Sequence, residues 1–398
     1  MADLTQNGDY PSICSARCNW TLLFAGAFLV FVNFFVSMTV LPQYVLEIGG
    51  TDFQSGLQNT VFFLTAVVLR FYFGPFADRK GRKVPLLIGA FVFATAPGLF
   101  WLSSNVTMLL LARLYQSIGL AAFLSTGSSL VADLAPQGKT GVYLGIYRNI
   151  LTLALLAGPA LALYVINQSG YGRWFFLSLV IGFLSCILLL PVKAPTCTPV
   201  EGPGGLSDTL SVLKNAAVAK ILSYISLTSL SYGAILTFAV IYISQVTAAA
   251  NPGVFFLYFG FGGIAANITV GYLSDRFGFQ AVAWPVLMVL GAGNMALYFL
   301  SFHPALLLIS SVLAGIGISG SLLVFISWLV NVTDVRLRAT TLSLQESTID
   351  VTVAAGAFLV GLSSSWIGLA ASFLVVGVVV FFPGLLAALR SAGKSAEI

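Results

Sequence analysis

Long apolar runs alternate along this chain with short polar breaks. Twelve runs stand out, roughly residues 20–46, 56–76, 85–103, 107–132, 141–166, 172–191, 217–246, 253–273, 282–301, 304–330, 338–363 and 366–389. About 20 mainly apolar residues cross the hydrocarbon core of a bilayer, so each run predicts one membrane helix. Helix is the required form, because hydrocarbon offers no partner for free backbone N–H and C=O groups. The longest break, about 192–216, carries Pro195, Pro199, Gly202, Pro203, Gly204 and Gly205, which is linker chemistry. The predicted layout is a polar tail (1–19), a six-helix bundle (20–191), a linker (192–216), a second bundle (217–389) and a short tail (390–398).

Composition agrees with an all-α membrane protein. Of 398 residues, 58% are hydrophobic and only 8% charged, against about 25% charged in soluble domains. The 39 glycines suit helices that pack closely in lipid. The formal charge of +5 is a topology signal. Of the 18 Lys and Arg, all but Arg173 and three intramembrane arginines fall on one side of the predicted membrane. The positive-inside rule then puts both termini and the even-numbered loops in the cytoplasm. No nucleic-acid patch is expected. The polar first 19 residues, followed by a full-length run without a small-residue cleavage site, argue against a cleavable signal peptide.

Metal and catalytic chemistry find no footing. Cys14 and Cys18 lack further Cys or His nearby to complete a zinc site, Cys186 lies in an apolar run, and Cys197 lies in the linker. His303 is the one histidine, in a loop. No nucleophile–base arrangement appears, so neither an enzyme nor a bound cofactor is expected.

The polar breaks repeat. Gly74-Pro75-Phe76-Ala77-Asp78-Arg79-Lys80-Gly81-Arg82-Lys83 follows helix 2, and Gly271-Tyr272-Leu273-Ser274-Asp275-Arg276-Phe277-Gly278 follows helix 8. Asp133-x-x-Pro136-x-x-Lys139 after helix 4 is echoed by Asp334-x-x-x-Arg338 after helix 10. Asp78 and Asp275 are 197 positions apart, and Lys139 and Arg338 are 199 apart. Small residues let two helices approach, an acid and several bases stand at the membrane surface, and Gly81 turns the chain back. The pattern G-x-x-x-D-R-x-G-R-K resembles the signature loop of the major facilitator superfamily of secondary transporters. That resemblance implies two pseudo-symmetric six-helix bundles and a substrate site between them at the midplane. It also implies that Asp78, Arg79, Arg82 and Arg276, with Asp133, Asp334 and Arg338, latch the cytoplasmic side shut in the outward-open state. The second copy lacks the trailing G-R-K, which predicts a weaker latch.

Two further stretches carry a finer resemblance. In helix 4, Arg113-Leu114-Tyr115-Gln116-Ser117-Ile118-Gly119-Leu120-Ala121-Ala122 resembles the R-x-x-Q-G-x-x-x-A motif, with Ser117 in place of glycine. In drug–proton antiporters of the superfamily the matching arginine is linked to proton coupling; structural pinning by Gln116 or backbone carbonyls is the alternative. In helix 5, Gly145 and Gly158-Pro159 partly resemble the antiporter motif, whose trailing glycines are replaced by Ala160, Leu161, Ala162 and Leu163. A Gly-Pro pair bends a membrane helix and permits close packing.

Charges inside the membrane are functional candidates by default. Counting eight residues back from Asp78 gives Arg70, eight back from Asp275 gives Asn267, eight on from Arg338 gives Glu346, and nine on from Lys139 gives Arg148. At 1.5 Å per residue these four lie roughly 12–13 Å in from the loops. The superfamily fold sets helix 2 against helix 11 and helix 5 against helix 8. Arg70 is therefore expected to pair with Glu346, and Arg148 to reach Asn267 or the cavity. Asp350 lies one turn beyond Glu346. If protons couple, Glu346 or Asp350 is the expected carrier.

In the same fold helices 1, 4, 7 and 10 line the cavity. Its candidates here are Asn33, Phe34, Ser37, Gln116, Ser125, Tyr224, Tyr232, Ser319, Phe325 and Trp328, with Tyr147 on helix 5. Together they describe an aromatic, hydroxyl-bearing pocket with little charge. The expected activity is alternating-access, proton-coupled efflux of a small amphiphilic compound or metabolite by a monomer in the cell membrane. Two readings compete: transport of a carboxylate- or phosphate-bearing anion by the intramembrane arginines, and, in another class, a lipid flippase or non-transport membrane protein.

Overall fold

The structure is a computed structural model that describes residues 13–136, 139–194, 211–247, 251–303, 305–334 and 337–395. The central part of the linker lies outside the described residues, as do most of the two tails and the side chains of Asp78, Arg79 and Ser125. Among the described residues, ten helices are long and apolar enough to cross a membrane. Two of them hold 50 and 58 residues, which at 1.5 Å per residue is more than twice the ~30 Å hydrocarbon core. Each doubles back at a glycine in a left-handed conformation: Gly170 (φ 79°, ψ 167°) and Gly368 (φ 79°, ψ 162°). Ten helices thus supply twelve spans.

In chain order these are α1 (Ile13–Thr39), α2 (Asp52–Lys80), α3 (Lys83–Leu102), α4 (Val106–Leu134), α5 and α6 (140–169 and 171–189), α7 (Ala216–Val246), α8 (Val254–Phe277), α9 (Phe279–Tyr298), α10 (Leu306–Val332), and α11 and α12 (338–367 and 369–395). The first apolar run differs from its sequence reading. It breaks at Val40, and a separate short helix, Leu41–Glu47, follows with proline in its first turn. Pro42 has no N–H to continue the α1 ladder but suits a helix start. Pro159, by contrast, sits inside α5, where Gly170 is the one residue of the merged α5–α6 helix with non-helical φ/ψ.

The two halves repeat the same packing scheme. Helix α1 lies on the α5–α6 hairpin as α7 lies on α11–α12, and α3 pairs with α4 as α9 pairs with α10. Likewise α2–α4 matches α8–α10. The backbone repeats too: Gly81 and Gly278, which end the two signature loops, share φ 84° with ψ 153° and 156°. An L side chain rarely adopts that conformation, so the position favours glycine. Close seams within each half are lined by small residues. Gly182 of α6 meets Ala94 of α3, and Gly377 of α12 meets Gly291 and Met295 of α9.

Between the halves, α2 packs along the α11–α12 hairpin and the α5–α6 hairpin along α8. The end carrying the signature loops is called the basic end below. Closely fitted contacts between halves concentrate at the opposite end. There Gly56 of α2 sits against the Ala357 carbonyl of α11 and the Phe238 ring of α7. Phe53 packs edge-on against Phe358 with centroids 5.6 Å apart. On the other flank Gly253 abuts the Pro159 carbonyl, and Gly260 abuts Leu156. Asn251 Nδ2 donates to the Ala160 carbonyl at 2.9 Å. The Gly158-Pro159 pair therefore serves as a docking surface: Gly158 fits against Val32 and Val36 of α1, while Pro159 receives α8.

Toward the basic end the fit loosens. Gly74 and Gly145 have nothing within 4 Å of a built Cβ, and Gly271 meets only Leu323, at 3.9 Å. This corrects the sequence expectation for Gly74 and Gly271. In this conformation the signature glycines do not mark a tight helix approach, because no neighbouring helix comes into close contact with them.

Candidate functional site

Arg113 is the largest fully buried side chain of the described residues. It projects from α4 toward α2, and the membrane interior makes an unpartnered guanidinium there costly. Its partners are neutral. Nη1 donates to Gln116 Oε1 one turn on, Nη2 to Asn59 Oδ1 at 2.6 Å, and Nε to the Gln58 carbonyl at 3.5 Å. The Phe62 ring covers it with its centroid 4.1 Å from Cζ, a cation–π contact. No carboxylate pairs with it among the described residues. Gln116 Nε2 extends the network to Ser37 Oγ of α1 at 2.9 Å.

Asn59 carries that network across the interface. Its Nδ2 donates to Thr237 Oγ1 of α7 at 2.9 Å and to the Met38 carbonyl of α1 at 3.0 Å. Its neighbour in sequence, Thr60, donates from Oγ1 to the Ala354 carbonyl of α11 at 3.1 Å. Sequence reasoning missed Gln58, Asn59, Thr60 and Thr237. The available clue was a run of polar residues, Ser55, Gln58, Asn59 and Thr60, inside a membrane helix.

Two ion pairs bridge the halves nearer the basic end. Arg70 Nη2 of α2 meets Asp350 Oδ2 of α11 at 2.5 Å, with side chains 14% and 6% exposed. Arg148 Nη2 of α5 approaches Glu346 Oε1 of α11 at 3.9 Å, with exposures of 64% and 45%. The first pairing corrects the sequence expectation, which had Arg70 with Glu346; Arg148, expected to reach Asn267 or the cavity, is exposed and pairs with Glu346 instead of Asn267. The reason is the lean of helical side chains toward their own N-terminus. Helix α2 runs toward the basic end, so Arg70 leans away from it. Helices α5 and α11 start at the basic end, so Arg148 and the two acids lean toward it. Arg70 therefore meets the acid one turn deeper, and Glu346 is left to Arg148. Asn267 is half-buried on α8.

At the surface, Arg82 Nε pairs with Asp133 Oδ2 at 2.9 Å, tying the first signature loop to the end of α4 within one half. Both side chains are partly exposed, so Arg82→Ala is expected to cost about 0.2–1 kcal/mol, read as a small drop in thermal unfolding temperature. Asp275, Arg276 and Arg338 are exposed, and Arg276 lies over the Phe277 ring at 5.3 Å. Asp334 is also exposed and has a partner.

The cavity candidates scatter. Asn33 faces inward in its own half, donating to the Ser178 carbonyl at 3.0 Å. Phe34 packs on Phe62 and Phe93, and Tyr147 is buried against Phe31 and Gly127. Ser37 and Gln116 belong to the Arg113 network, and Ser319 Oγ lies against Gly263. Tyr232 stacks on Phe259 at 6.3 Å. Tyr224 stacks on Phe325 at 5.5 Å, and Trp284 bridges Tyr224 and Trp328. Packing within a half thus accounts for most of the residues expected to line the pocket, because apolar runs do not reveal how a helix is rotated.

Twelve spans in two matching bundles, with polar groups stitched across the seam, make the architecture of a membrane transporter. Residues 23–278 match the family model of the Major Facilitator Superfamily, and the chain belongs to that superfamily. It is 27% identical over 281 residues to the multidrug resistance protein MdtG of Proteus mirabilis (strain HI4320), covering 67% of this chain and 70% of that protein. Its fold is similar to that of the nucleoside transporter NupG, with TM-score 0.79, 12% identity, and coverage of 93% and 99% of the two chains. A bacterial homolog of the human lysosomal transporter Spinster, solved inward-facing and unoccupied, superposes with TM-score 0.72 at 15% identity over 95% of each chain.

Proposed function

We propose that this transporter exports small amphiphilic compounds in exchange for protons, with Asp350 as the proton carrier. The observation that carries the reading is the buried Arg70–Asp350 contact at 2.5 Å between halves that must separate. Parting such a pair leaves two uncompensated charges in a poorly hydrated place, which is strongly unfavourable. A proton taken up by Asp350 removes half of that cost, and water admitted to the cleft relieves the Arg70 half. The groups facing Asp350 are Arg70 from α2 and Glu346 on its own helix, with Arg148 of α5 beyond.

The basic end faces the cytoplasm by the charge rule, so the conformation described is open inward and sealed outward. The similarity to MdtG supports drug-like cargo. Arginine placement weighs against an anion carrier: Arg70 and Arg148 have acidic partners, and Arg113 is walled in by Gln116, Asn59 and Phe62.

The test uses the purified chain in vesicles with an imposed pH gradient and a fluorescent lipophilic cation. Dye accumulation that follows the gradient and collapses with a protonophore supports the reading. Transport indifferent to the gradient, or selective for carboxylates over lipophilic cations, overturns it.

A further inference from the structure

The C-terminal half holds a cavity of about 510 Å³ away from the interface, between α7, α9 and α12 at the basic end. Its chemistry is one-sided. Lys220 enters from the start of α7, Gln280 from the start of α9, and Arg390 from near the end of α12. Among the described residues no acid lines it, and neither cation has an ion-pair partner. Trp284 lines the same cavity; it is 4% exposed, and its indole Nε1–H has no partner among the described residues. A buried N–H is normally paired, so one left open beside two cations indicates a missing acceptor. Tyr224 also lines the cavity, and the wall that α12 supplies, Pro383, Leu386 and Ala387, is apolar; beyond it Phe382 and Leu389 stand 53% and 62% exposed where lipid tails would lie.

We propose that this cavity binds the phosphate of an anionic phospholipid. Lys220 and Arg390 would neutralise the phosphate, with Trp284 Nε1 and Gln280 donating to its oxygens. The acyl chains would run along α12. Helices α7 and α9 both begin here, and their positive dipole ends add to the attraction. Basic pockets between membrane helices at a bilayer surface suit such headgroups, and an apolar wall gives no advantage to a free anion.

The experiment is thermal unfolding of the full-length protein in detergent, titrated with phosphatidylglycerol, with phosphatidylcholine of the same chains, and with inorganic phosphate. Phosphatidylglycerol is expected to raise the unfolding temperature, and the other two are not. In the Lys220→Gln/Arg390→Gln double variant the half-saturating phosphatidylglycerol concentration should rise roughly thirtyfold, from two surface cations removed. Both positions are exposed, so the fold tolerates the change. Trp284→Phe, which keeps the ring and deletes the donor, should weaken binding several-fold. An unchanged titration in the double variant overturns the proposal, and so does inorganic phosphate that stabilises as well as the lipid does.

Discussion

Asp350→Asn is expected to abolish gradient-driven transport while leaving substrate binding intact. The substitution keeps the shape of the side chain and removes its charge, so Arg70 faces a neutral amide in a contact where both partners are mostly buried. Breaking a buried pair by losing one partner costs about 3–5 kcal/mol, or roughly two to nearly four orders of magnitude in the balance between conformations. The comparison with Glu346→Gln decides which acid matters. Glu346 sits 3.9 Å from Arg148 in an open, half-exposed setting, where an ion pair contributes at most about 1 kcal/mol. Turnover in vesicles with and without a pH gradient, measured for both variants, separates the two. Equal losses, or a normal gradient response in Asp350→Asn, would remove Asp350 from the mechanism.

Gly56→Val is expected to hold the halves apart at the end opposite the signature loops. A Cβ at Gly56 would overlap the backbone carbonyl of Ala357, which cannot move without shifting α11. Overpacking of this kind costs about 1–3 kcal/mol, enough to lower the population of the sealed conformation some five- to 150-fold. Labelling of a cysteine near Thr237 by a membrane-impermeant maleimide, added from the sealed side, reads that population directly. Gly74→Val supplies the contrast. Nothing lies near Gly74 here, so that variant should leave the sealed population unchanged or raise it, and should impair only closure of the basic end. Similar labelling in both variants would refute the assignment of the seal.

The architecture was readable because lipid imposes a blunt rule on it: any span must be about 20 apolar residues long. Loop glycines were readable for a similar reason. Gly81 and Gly278 adopt backbone angles that other residues rarely adopt, and they sit within the repeated stretches whose Asp78 and Asp275 marked the duplication. The site was harder. Counting residues gave the depth of Arg70, Arg148 and Glu346 well enough to bring them to one interface, but not the direction in which each side chain leans, and the pairings shifted by a turn. Helix rotation was harder still. Asn33 and Tyr147 sit in runs that are apolar all round, so nothing in the sequence distinguished a cavity face from a packing face, and both point into their own half. Asn59 touches three helices through hydrogen bonds of a neutral amide, and a neutral amide in an apolar run carries no charge signal that would single it out.

The seal made by Gly56, Thr60, Asn59, Gly253 and Asn251 has one property that its individual contacts do not reveal. Across the seam each runs through a main-chain atom, an amide or a hydroxyl; the charged group bonded behind them, Arg113 on Asn59 Oδ1, stays within one half. Its strength is therefore insensitive to acidity and salt, so the door and the sensor are separate parts. The ion pairs that join the halves, Arg70–Asp350 and Arg148–Glu346, lie toward the far end, so a change of charge there reaches the door through the rigid helices between.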